Sequence, residues 1–263
     1  MNELKSIVII PARFDSTRFP GKPLAKIAQK PMIQHVYERA LRARGVDKVM
    51  VATDDSRILE AVLNFGGLVC MTSGNHRSGT DRVAEAAKTT DAQIVVNLQG
   101  DEPLVDPECI EAVLRPFFSE ADLMISTVKS PLKSEDEFIN PNVVKVVTDR
   151  QDYAMYFSRL PVPYFRTRAV HPNGTLAGCF KHIGIYAYRK HFLELLPTLG
   201  ESPLEQAEDL EQLRFLQNGY RIKVVLFNYQ SFAVDTPEDL SRLQAMLEGE
   251  IGDKIGTTSG MVR

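Results

Sequence analysis

Residues Ser6–Leu24 read S-I-V-I-I-P-A-R-F-D-S-T-R-F-P-G-K-P-L, an apolar run that leads directly into a loop rich in Pro, Ser, Thr and Gly. The run Ile7–Ile10 has the continuous apolar character of a strand that is buried on both faces of a sheet. The loop carries the cations Arg13, Arg18 and Lys22, and its small residues let backbone N–H groups approach a ligand closely. This pattern predicts a polyphosphate site, although a solvated basic loop would have the same composition. The spacing matches neither the Walker loop nor the dinucleotide-binding fingerprint.

Strand-like and helix-like segments alternate through the first half of the chain. This alternation predicts an α/β fold, with a mostly parallel central sheet and helices on both of its faces. Ligands bind such sheets beyond the carboxyl ends of the strands, where the polar motifs after Ile10, Ala52 and Leu98 lie. The predicted strands are Ile7–Ile10, Lys48–Ala52, Leu68–Met71 and Ile94–Leu98, and the predicted helices are Ile33–Leu41, Asp55–Phe65, Thr80–Lys88 and one that begins at Pro107 with Asp106 as its N-cap.

The second half of the chain has a more mixed pattern. A loop rich in Pro, Asn and Gly spans residues 161–178 and is long enough to be functional or mobile. We predict a single domain over residues 1–250, with a smaller mixed β lobe inserted around 125–190 and a flexible tail at 251–263. Strands are predicted at Leu123–Val128, Val143–Thr148, Tyr153–Ser158, Ile183–Tyr188 and Ile222–Phe227, and helices at Ser202–Gln217, which starts with a capping box, and after Thr236-Pro237.

Composition and charge argue against several classes of protein. The chain has 31 Lys and Arg against 34 Asp and Glu, without the basic surplus expected of a nucleic-acid binder. No apolar run approaches the ~18 residues of a membrane span, and the N-terminal residues lack a signal-peptide pattern. The three cysteines, Cys70, Cys109 and Cys179, lack metal-type spacing and are expected to be small buried hydrophobes in a reducing compartment. We therefore expect a cytoplasmic enzyme with no nucleic-acid or membrane partner.

Six motifs, in order along the chain, carry a family resemblance. Any one of them would be weak alone, but together they span residues 5–247. The basic loop resembles the signature loop of sugar nucleotidyltransferases, and the set most resembles the 3-deoxy-manno-octulosonate (Kdo) cytidylyltransferase family. The five further motifs are Val51-Ala52-Thr53-Asp54-Asp55, Ser78-Gly79-Thr80-Asp81-Arg82, Asn97-Leu98-Gln99-Gly100-Asp101-Glu102-Pro103, His182-Ile183-Gly184-Ile185-Tyr186 and Val234-Asp235-Thr236-Pro237-Glu238-Asp239.

The resemblance implies a fold, a reaction and an assembly. The fold would be nucleotide-diphospho-sugar transferase-like, with the smaller β lobe serving dimerisation and sugar binding. The reaction would join CTP and Kdo, an acidic eight-carbon sugar, to give CMP-Kdo and diphosphate for lipopolysaccharide biosynthesis, with Mg²⁺ as cofactor and a homodimer as the assembly. Because two anions must meet, positioning and charge should supply nearly all of the catalysis.

Two carboxylates and two cations are the candidates for the chemistry. Asp101 follows a buried-type strand and Gly100, which suits a Mg²⁺ ligand, although a turn aspartate is the alternative. Asp235 before Thr-Pro is equally consistent with ordinary turn chemistry. The resemblance identifies both aspartates as metal ligands, and it identifies Arg13, Lys22 and Asp101 as catalytic, with Lys22 at the α-phosphate.

The remaining candidates come from the resemblance, and each has a plainer structural alternative. Ser78 or Thr80 could simply be an N-cap, the charges on the helix after Ser202 could be solvated, and a lone His182 is more often structural. Arg159 is expected to meet the sugar carboxylate. The nucleotide-binding set is Ala12, Arg13, Ser16, Lys22, Ser78, Gly79, Thr80, Arg82 and Gln99, and the sugar-binding set is Gln99, Arg159, His182, Tyr186, Glu208, Glu211 and Gln212.

Several other functions stay open at this point. The sugar could be an 8-amino relative of Kdo, or sialic acid, although the motifs around His182 and Glu211 argue against sialic acid. A non-catalytic nucleotide-binding regulator would be expected to lose the carboxylates or cations that this chain keeps. A glycosyltransferase would be expected to carry a D-x-D metal motif. The sequence contains no serine-nucleophile elbow, zinc-protease motif or paired cysteines, which argues against covalent serine, zinc and redox chemistry.

Overall fold

The structure, a computed structural model, describes residues 4–15, 18–166, 178–200, 202–229 and 232–258. In this part of the chain most strands join one large sheet, and two short strands form a separate hairpin. The strands are β1 (Ser6–Ala12), β2 (Lys26–Ile27), β3 (Lys30–Pro31), β4 (Lys48–Thr53), β5 (Leu68–Met71), β6 (Ile94–Asn97), β7 (Ile125–Pro131), β8 (Lys145–Thr148), β9 (Ala154–Ser158), β10 (Phe180–Arg189) and β11 (Ile222–Leu226).

The large sheet runs in the order β11-β7-β10-β6-β1-β4-β5, with β8 beside β10 and β9 beside β8. Strands β6, β1, β4 and β5 are parallel to one another, and β11 is parallel to β7. Strand β10 lies between these two groups and is antiparallel to both of its neighbours, β6 and β7. The predicted mostly parallel central sheet is therefore confirmed, with a reversed strand near its middle.

Helices cover both faces of the sheet, as predicted. On one face, α1, α2 and α4 pack with β1 residues Val8 and Ile10 in one core. On the other face, α3, α6 and α8 pack with Ile7 and Ile9 in a second core. The continuous apolar run of β1 thus supplies both cores, because successive side chains point to opposite faces. The helices are α1 (Met32–Ala40), α2 (Ser56–Asn64), α3 (Gly79–Lys88), α4 (Pro107–Leu114), α5 (Glu135–Ile139), α6 (Lys190–Leu195), α7 (Pro203–Glu208), α8 (Gln212–Gln217) and α9 (Pro237–Thr258).

The predicted continuous helix over Ser202–Gln217 is wrong, because the chain forms two helices there. Asp209 has a left-handed conformation, with φ 52°, and ends α7. The start is as expected, since Ser202 Oγ accepts a hydrogen bond from the N–H of Glu205 at 3.1 Å. The predicted capping box is only half formed, because the Glu205 carboxylate contacts Arg214 Nε at 3.4 Å. The break turns the side chains after it toward the sheet, where Leu213 and Phe215 are buried.

The region around 125–190 contributes both to the sheet and to a projection from it. Strands β7 and β10 belong to the main sheet, whereas β8 and β9 form a hairpin that extends it beside β10. The inserted lobe and the tail at 251–263 stay predictions. Ser16 and residues 167–177 of the 161–178 loop lie outside the described residues.

Two further expectations concern the burial of the cysteines and the possibility of a membrane-spanning helix. Cys109 and Cys179 are buried free thiols, as predicted, whereas Cys70 is only half-buried. Burial raises the pKa of Cys179 above its usual range. Across the described residues, no helix combines the length and apolar character that crossing a bilayer would require.

Candidate active site

A cleft of about 270 Å³ opens at the carboxyl ends of β1 and β6. It lies where a parallel sheet places its ligands, and polar side chains dominate its walls. Most of the lining residues belong to the end of β1 with the loop after it and to the motifs after β5 and β6, and Asp235 comes from the motif before α9. The lining residues include Ala12, Arg13, Arg18, Lys22, Ser78, Gly79, Arg82, Gln99, Asp101 and Asp235.

Lys22 lies between the two carboxylates that were predicted to hold metal. Its Nζ is 2.8 Å from Asp101 Oδ2 and 3.2 Å from Asp235 Oδ1. The lysine side chain is largely buried, at 14% exposure, and these two carboxylates balance its charge. Arg18 also reaches Asp235, at 3.2 Å, and is therefore a cleft residue, an assignment that the sequence left open. The site thus sets two cations against two carboxylates.

Two local structures hold the carboxylates in place. Asp101 follows β6, and its backbone carbonyl accepts a hydrogen bond from the N–H of Val234 at 2.9 Å. That bond ties the strand end to the segment before α9. Thr236 caps α9 as predicted, because its Oγ1 accepts from the N–H of Asp239 at 3.2 Å while the Asp239 carboxylate accepts from the N–H of Asp235. Asp235 is therefore both a turn residue and a cleft residue.

The Ser78-Gly79-Thr80 turn is both a helix cap and a cleft wall. Ser78 and Asp81 form a reciprocal capping box at the start of α3, so the plain N-cap interpretation is correct for Ser78. Gly79 lies so close to Pro11 that an added Cβ would be 3.3 Å from its Cγ. Thr80 is buried and hydrogen-bonds Glu211. The capped start of α3 thus forms a wall of the cleft that packs against the carboxyl end of β1.

Glu211 connects the start of α8 to this wall. Its carboxylate accepts hydrogen bonds from Ser78 Oγ at 3.1 Å and from Thr80, and it receives Arg214 Nη2 at 3.1 Å. Burial raises the pKa of Glu211 above its usual range. Next to this group, Asn97 donates to Thr80 at 3.2 Å and accepts from Gln99 at 3.0 Å. Glu211 is therefore not a solvated helix charge, and it lies within hydrogen-bond distance of the cleft lining.

Arg82 lines the cleft, but its guanidinium is already engaged. Nη2 is 2.7 Å from Asp54 Oδ2, and Nη1 donates to Thr72 Oγ1 at 2.6 Å. Only 6% of its side chain is exposed, so the ion pair is mostly desolvated. The motif that contains Asp54 was recognised from sequence, but its contact with Arg82 was not anticipated.

His182 and Tyr186 lie beside each other on β10. Their ring centroids are 5.3 Å apart, and a bulge interrupts the pairing with β7 between Ile183 and Tyr186. His182 Nε2 is 2.9 Å from Thr127 Oγ1. Burial lowers the pKa of His182 to about 3, so its imidazole is neutral at physiological pH. Tyr186 pairs with Asn97 of β6, which places it one strand from the cleft lining.

Arg159 and Glu208 form a second cluster where the end of β9 meets the end of α7. The Glu208 carboxylate accepts from Ser158 Oγ and from the Arg159 N–H, each at 2.8 Å. The Arg159 guanidinium donates to the carbonyls of Glu208 at 2.6 Å and Asp209 at 3.1 Å. Gln212 is buried at the start of α8. These residues are near one another, but they are not among those that line the cleft, and their sugar-binding role stays a prediction.

Sequence reasoning missed two cleft residues. His76 and Arg77 line the cleft just before Ser78, and they precede the motif that was recognised. His76 contacts the Glu85 carboxylate, which holds the pKa of Glu85 below its usual range. Both are polar residues next to a helix start, a signal too common to single them out.

The carboxylates of Asp101 and Asp235 fit a Mg²⁺ ion. Mg²⁺ prefers hard oxygen donors and is usually bound through one or two carboxylates, with substrate phosphates completing its shell. The two oxygens already share one cation, the ammonium group of Lys22. No cluster of three or more His, Cys, Asp and Glu suited to a metal occurs in the described part of the chain. Two carboxylates would leave the rest of the coordination shell of such an ion to substrate phosphate and water.

Comparisons with known proteins show which family this chain is similar to. The family model described as cytidylyltransferase matches residues 7–222. The 3-deoxy-manno-octulosonate cytidylyltransferase of Syntrophotalea carbinolica is 53% identical over 244 residues, which cover 92% of this chain and 98% of that protein. The protein of the same name from Geobacter metallireducens is 52% identical over 246 residues, covering 91% of this chain and 96% of its own.

Solved structures show the same similarity. CMP:2-keto-3-deoxy-manno-octonic acid synthetase complexed with CTP has a TM-score of 0.87 and 44% identity, covering 94% of this chain and 99% of its own. The 4-diphosphocytidyl-2C-methyl-D-erythritol synthase from Anaerococcus prevotii has a TM-score of 0.59 at 14% identity, with 94% of this chain and 100% of its own covered. This second similarity is one of fold alone.

Proposed function

This chain belongs to the 3-deoxy-manno-octulosonate cytidylyltransferase family, and from that premise we propose how its cleft carries out the reaction. It is a nucleotidyltransferase that activates Kdo with CTP to give CMP-Kdo and diphosphate. A sugar hydroxyl attacks the α-phosphorus, a new O–P bond forms, and the bond to the diphosphate oxygen breaks. The observation that carries the proposal is Lys22, held between Asp101 and Asp235 at the strand ends.

In the proposed mechanism the basic loop after β1 receives the triphosphate. Arg13 is exposed at the cleft and free to neutralise phosphate oxygens. Lys22 stabilises the negative charge that develops around the α-phosphorus. Its fixed position matters because a preorganised cation needs no rearrangement at the moment of reaction. Ala12, Gly79 and Gln99 form the walls against which the nucleotide lies.

We propose that Asp101 and Asp235 hold Mg²⁺. When bound, the ion neutralises phosphate oxygens and favours departure of diphosphate. The protein's own part is to present two carboxylates at a strand end and a helix cap, both fixed by backbone hydrogen bonds. Lys22 compensates the charge of these carboxylates.

The sugar end of the cleft is proposed to lie toward α8 and β10. Glu211, supported by Ser78 and Thr80, offers a carboxylate to hydroxyl groups. The neutral imidazole of His182 can donate or accept a hydrogen bond without adding charge. Gln99 can contact both the nucleotide and the sugar, because it lines the cleft and donates a hydrogen bond to Asn97.

We also propose a homodimer that works in the cytoplasm and supplies lipopolysaccharide synthesis. Support for the dimer comes from large apolar side chains around β9. Met155, Leu160 and Tyr164 are 66%, 68% and 88% exposed, and Ile139 at the end of α5 is 59% exposed. A cluster of this kind on a soluble protein often marks a contact with another chain.

The test is release of diphosphate from CTP and Mg²⁺ in parallel reactions with Kdo, its 8-amino analogue, sialic acid and no sugar. We expect release with Kdo. Asp101→Asn should abolish most of this turnover while the melting temperature stays close to that of the wild type, because the change removes charge without removing core packing. Asp91→Asn, at an exposed ion pair with Lys5, is the matched control.

Each outcome of this test supports or contradicts a specific part of the proposed function. Release with a different sugar alone would retain the reaction and overturn the proposed sugar pocket. An Asp101→Asn enzyme with wild-type turnover would overturn the metal assignment. If no reaction releases diphosphate while CTP still binds, the chain is a nucleotide-binding relative without catalysis.

A further inference from the structure

The Thr53-Asp54-Asp55 step at the end of β4 has no role in the mechanism above, although its two aspartates pair with Arg82 and Arg57, which lie next to the two loops that form the nucleotide cleft. We propose that Asp54 and Asp55 are positioning residues, each holding one of those loops. Asp54 acts through Arg82 on the Ser78–Thr80 turn. Asp55 acts through Arg57 on the loop after β1. The inference rests on the proposed function, because the two loops that these carboxylates hold in position are the ones proposed to bind CTP.

The turn after β4 separates the two carboxylates. Thr53 is fully buried, and its Oγ1 accepts a hydrogen bond from the N–H of Asp55 at 3.2 Å. Its carbonyl accepts from the N–H of Thr72 at 2.8 Å. The residues that follow are therefore fixed by the sheet, and Asp55 becomes the N-cap of α2. A rigid strand end is a suitable base from which to hold two loops.

Asp54 holds the first loop through a mostly buried ion pair. Its Oδ2 is 2.7 Å from Arg82 Nη2, and the two side chains are 24% and 6% exposed. Arg82 lies one turn into α3, whose capping residues line the cleft. Thr72 receives the other guanidinium nitrogen at 2.6 Å. Both contacts fix the start of α3, and thus Ser78 and Gly79, against β4 and the segment after β5.

Asp55 holds the second loop through a stack of three groups. Its carboxylate receives Arg57 Nε at 2.9 Å and Nη2 at 2.6 Å, which is a bidentate pair. This pairing holds the pKa of Asp55 below its usual range. The Arg57 guanidinium carbon is 3.3 Å from the centroid of the Phe14 ring. An arginine whose fork is already held by a carboxylate presents its flat face to an aromatic ring at little further cost in freedom.

Phe14 connects Arg57 to the backbone that carries Lys22. The edge of its ring lies 3.0 Å from where a Cβ on Gly21 would be, and Gly21 has φ 73°. The N–H of Gly21 also donates to the carbonyl of Phe14 at 2.9 Å, which closes the loop. Lys22 is the next residue. A shift of Phe14 therefore moves the backbone from which Lys22 reaches Asp101.

The experiment compares variants that release one loop while the cleft lining stays intact. Asp55→Asn keeps an N-cap but loses the charged pair, and Arg57→Met keeps the side-chain stem but loses the stack. Phe14→Leu removes the ring, and Phe14→Tyr is the conservative variant that should restore function. Glu111→Gln is the matched control, because Glu111 also pairs bidentately with a more exposed arginine, Arg44, away from the cleft.

The measurements are the Kd of CTP by calorimetry, kcat and KM for CTP, and the melting temperature. We expect kcat/KM for CTP to fall by between about 10-fold and 10²-fold in Asp55→Asn, Arg57→Met and Phe14→Leu, since misplacement by about 1 Å can cost this much. The melting temperature should match that of Glu111→Gln. The double variant Asp55→Asn with Arg57→Met should lose little more than either single one.

Asp54→Asn should raise the Kd of CTP in the same way. Should it fail to fold because Arg82 is left unpaired, Thr72→Val removes the second contact of Arg82 without leaving a charge unpaired. Variants that lower the melting temperature but keep the CTP Kd and kcat/KM of Glu111→Gln would overturn the proposal. The wild-type reaction with Kdo is run alongside, so a failure of the function itself would be recognised separately.

Discussion

Among individual residues, Lys22 carries the largest part of the expected chemistry. It is held by Asp101 and Asp235, and it is mostly buried, so its removal changes the charge of the cleft more than its shape. Lys22→Ala should lower kcat by about 10²-fold or more, because it removes a preorganised cation from the transition state. Steady-state kinetics with CTP and Kdo measure this.

The control is Lys30→Ala, a half-exposed lysine paired with Glu38 outside the cleft. A rise in KM with unchanged kcat in Lys22→Ala would mean that Lys22 binds substrate and transition state equally, contrary to its proposed role.

The protonation of His182 leads to a prediction about pH and stability. Burial lowers its pKa to about 3 in the folded protein, whereas an unfolded histidine titrates near 6.5. Between these values the unfolded state binds more protons, so the free energy of unfolding falls as the pH falls from about 6.5 toward 3. His182→Gln should lose less stability than the wild type between pH 7 and pH 5, as measured by urea unfolding.

The matched control is His191→Gln, at an exposed position on α6. We expect it to keep the wild-type dependence of stability on pH. An identical pH dependence in His182→Gln and the wild type would contradict a buried, neutral His182.

Among the elements, the β8–β9 hairpin depends on a buried lysine. Lys145 is fully buried, and its Nζ donates to the carbonyls of Asn140 at 2.9 Å, Val143 at 2.6 Å and Arg159. Burial lowers the pKa of Lys145. Its role is to join the loop before β8 to the end of β9, and so to hold the backbone that carries Arg159.

Lys145→Met should lower the free energy of unfolding by about 3 kcal/mol, since it leaves three partly buried carbonyls without a donor and each of them costs about 1 kcal/mol, the low end of the range for a buried group. Chemical denaturation measures this change. Lys88→Met, on the exposed end of α3, is the control and should have little effect. Equal stability of the two variants would mean that water replaces the ammonium group at no cost.

For the whole molecule, the proposed dimer is the main prediction. The apolar side chains of Met155 and Leu160 lie around the β8–β9 hairpin, beside β10 and away from the β5 edge of the sheet. Met155→Glu combined with Leu160→Glu should convert a dimer into a monomer, because burying two charges in an apolar contact is unfavourable. Sedimentation velocity distinguishes the two masses.

Leu63→Glu is the control, because Leu63 is 57% exposed on α2 at the other end of the sheet. We expect it to leave the mass unchanged. A wild-type chain that sediments as a monomer at every concentration would contradict the dimer directly.

Much of the fold and part of the cleft could be predicted from local sequence patterns. The apolar run of β1 and the N-caps at Asp106 and Thr236 involve neighbours only a few residues away, and the structure has them as expected. The break at Asp209 could not be read in this way, because the segment around it has helical spacing on both sides. Asp209 itself is exposed, and it is the burial of Leu213 and Phe215 after the break that separates α8 from α7.

By itself, the sequence determined the alternation of strands and helices, the basic loop after β1 and the family motifs, since these depend on residue type and short spacing. Only the tertiary structure decided which charges meet. Lys22 reaches Asp235 across 213 residues, and Arg82, which lines the cleft, pairs with Asp54 at the end of another strand. The physical reason is that an ion pair depends on distance and burial, which are set when the sheet brings remote strand ends together.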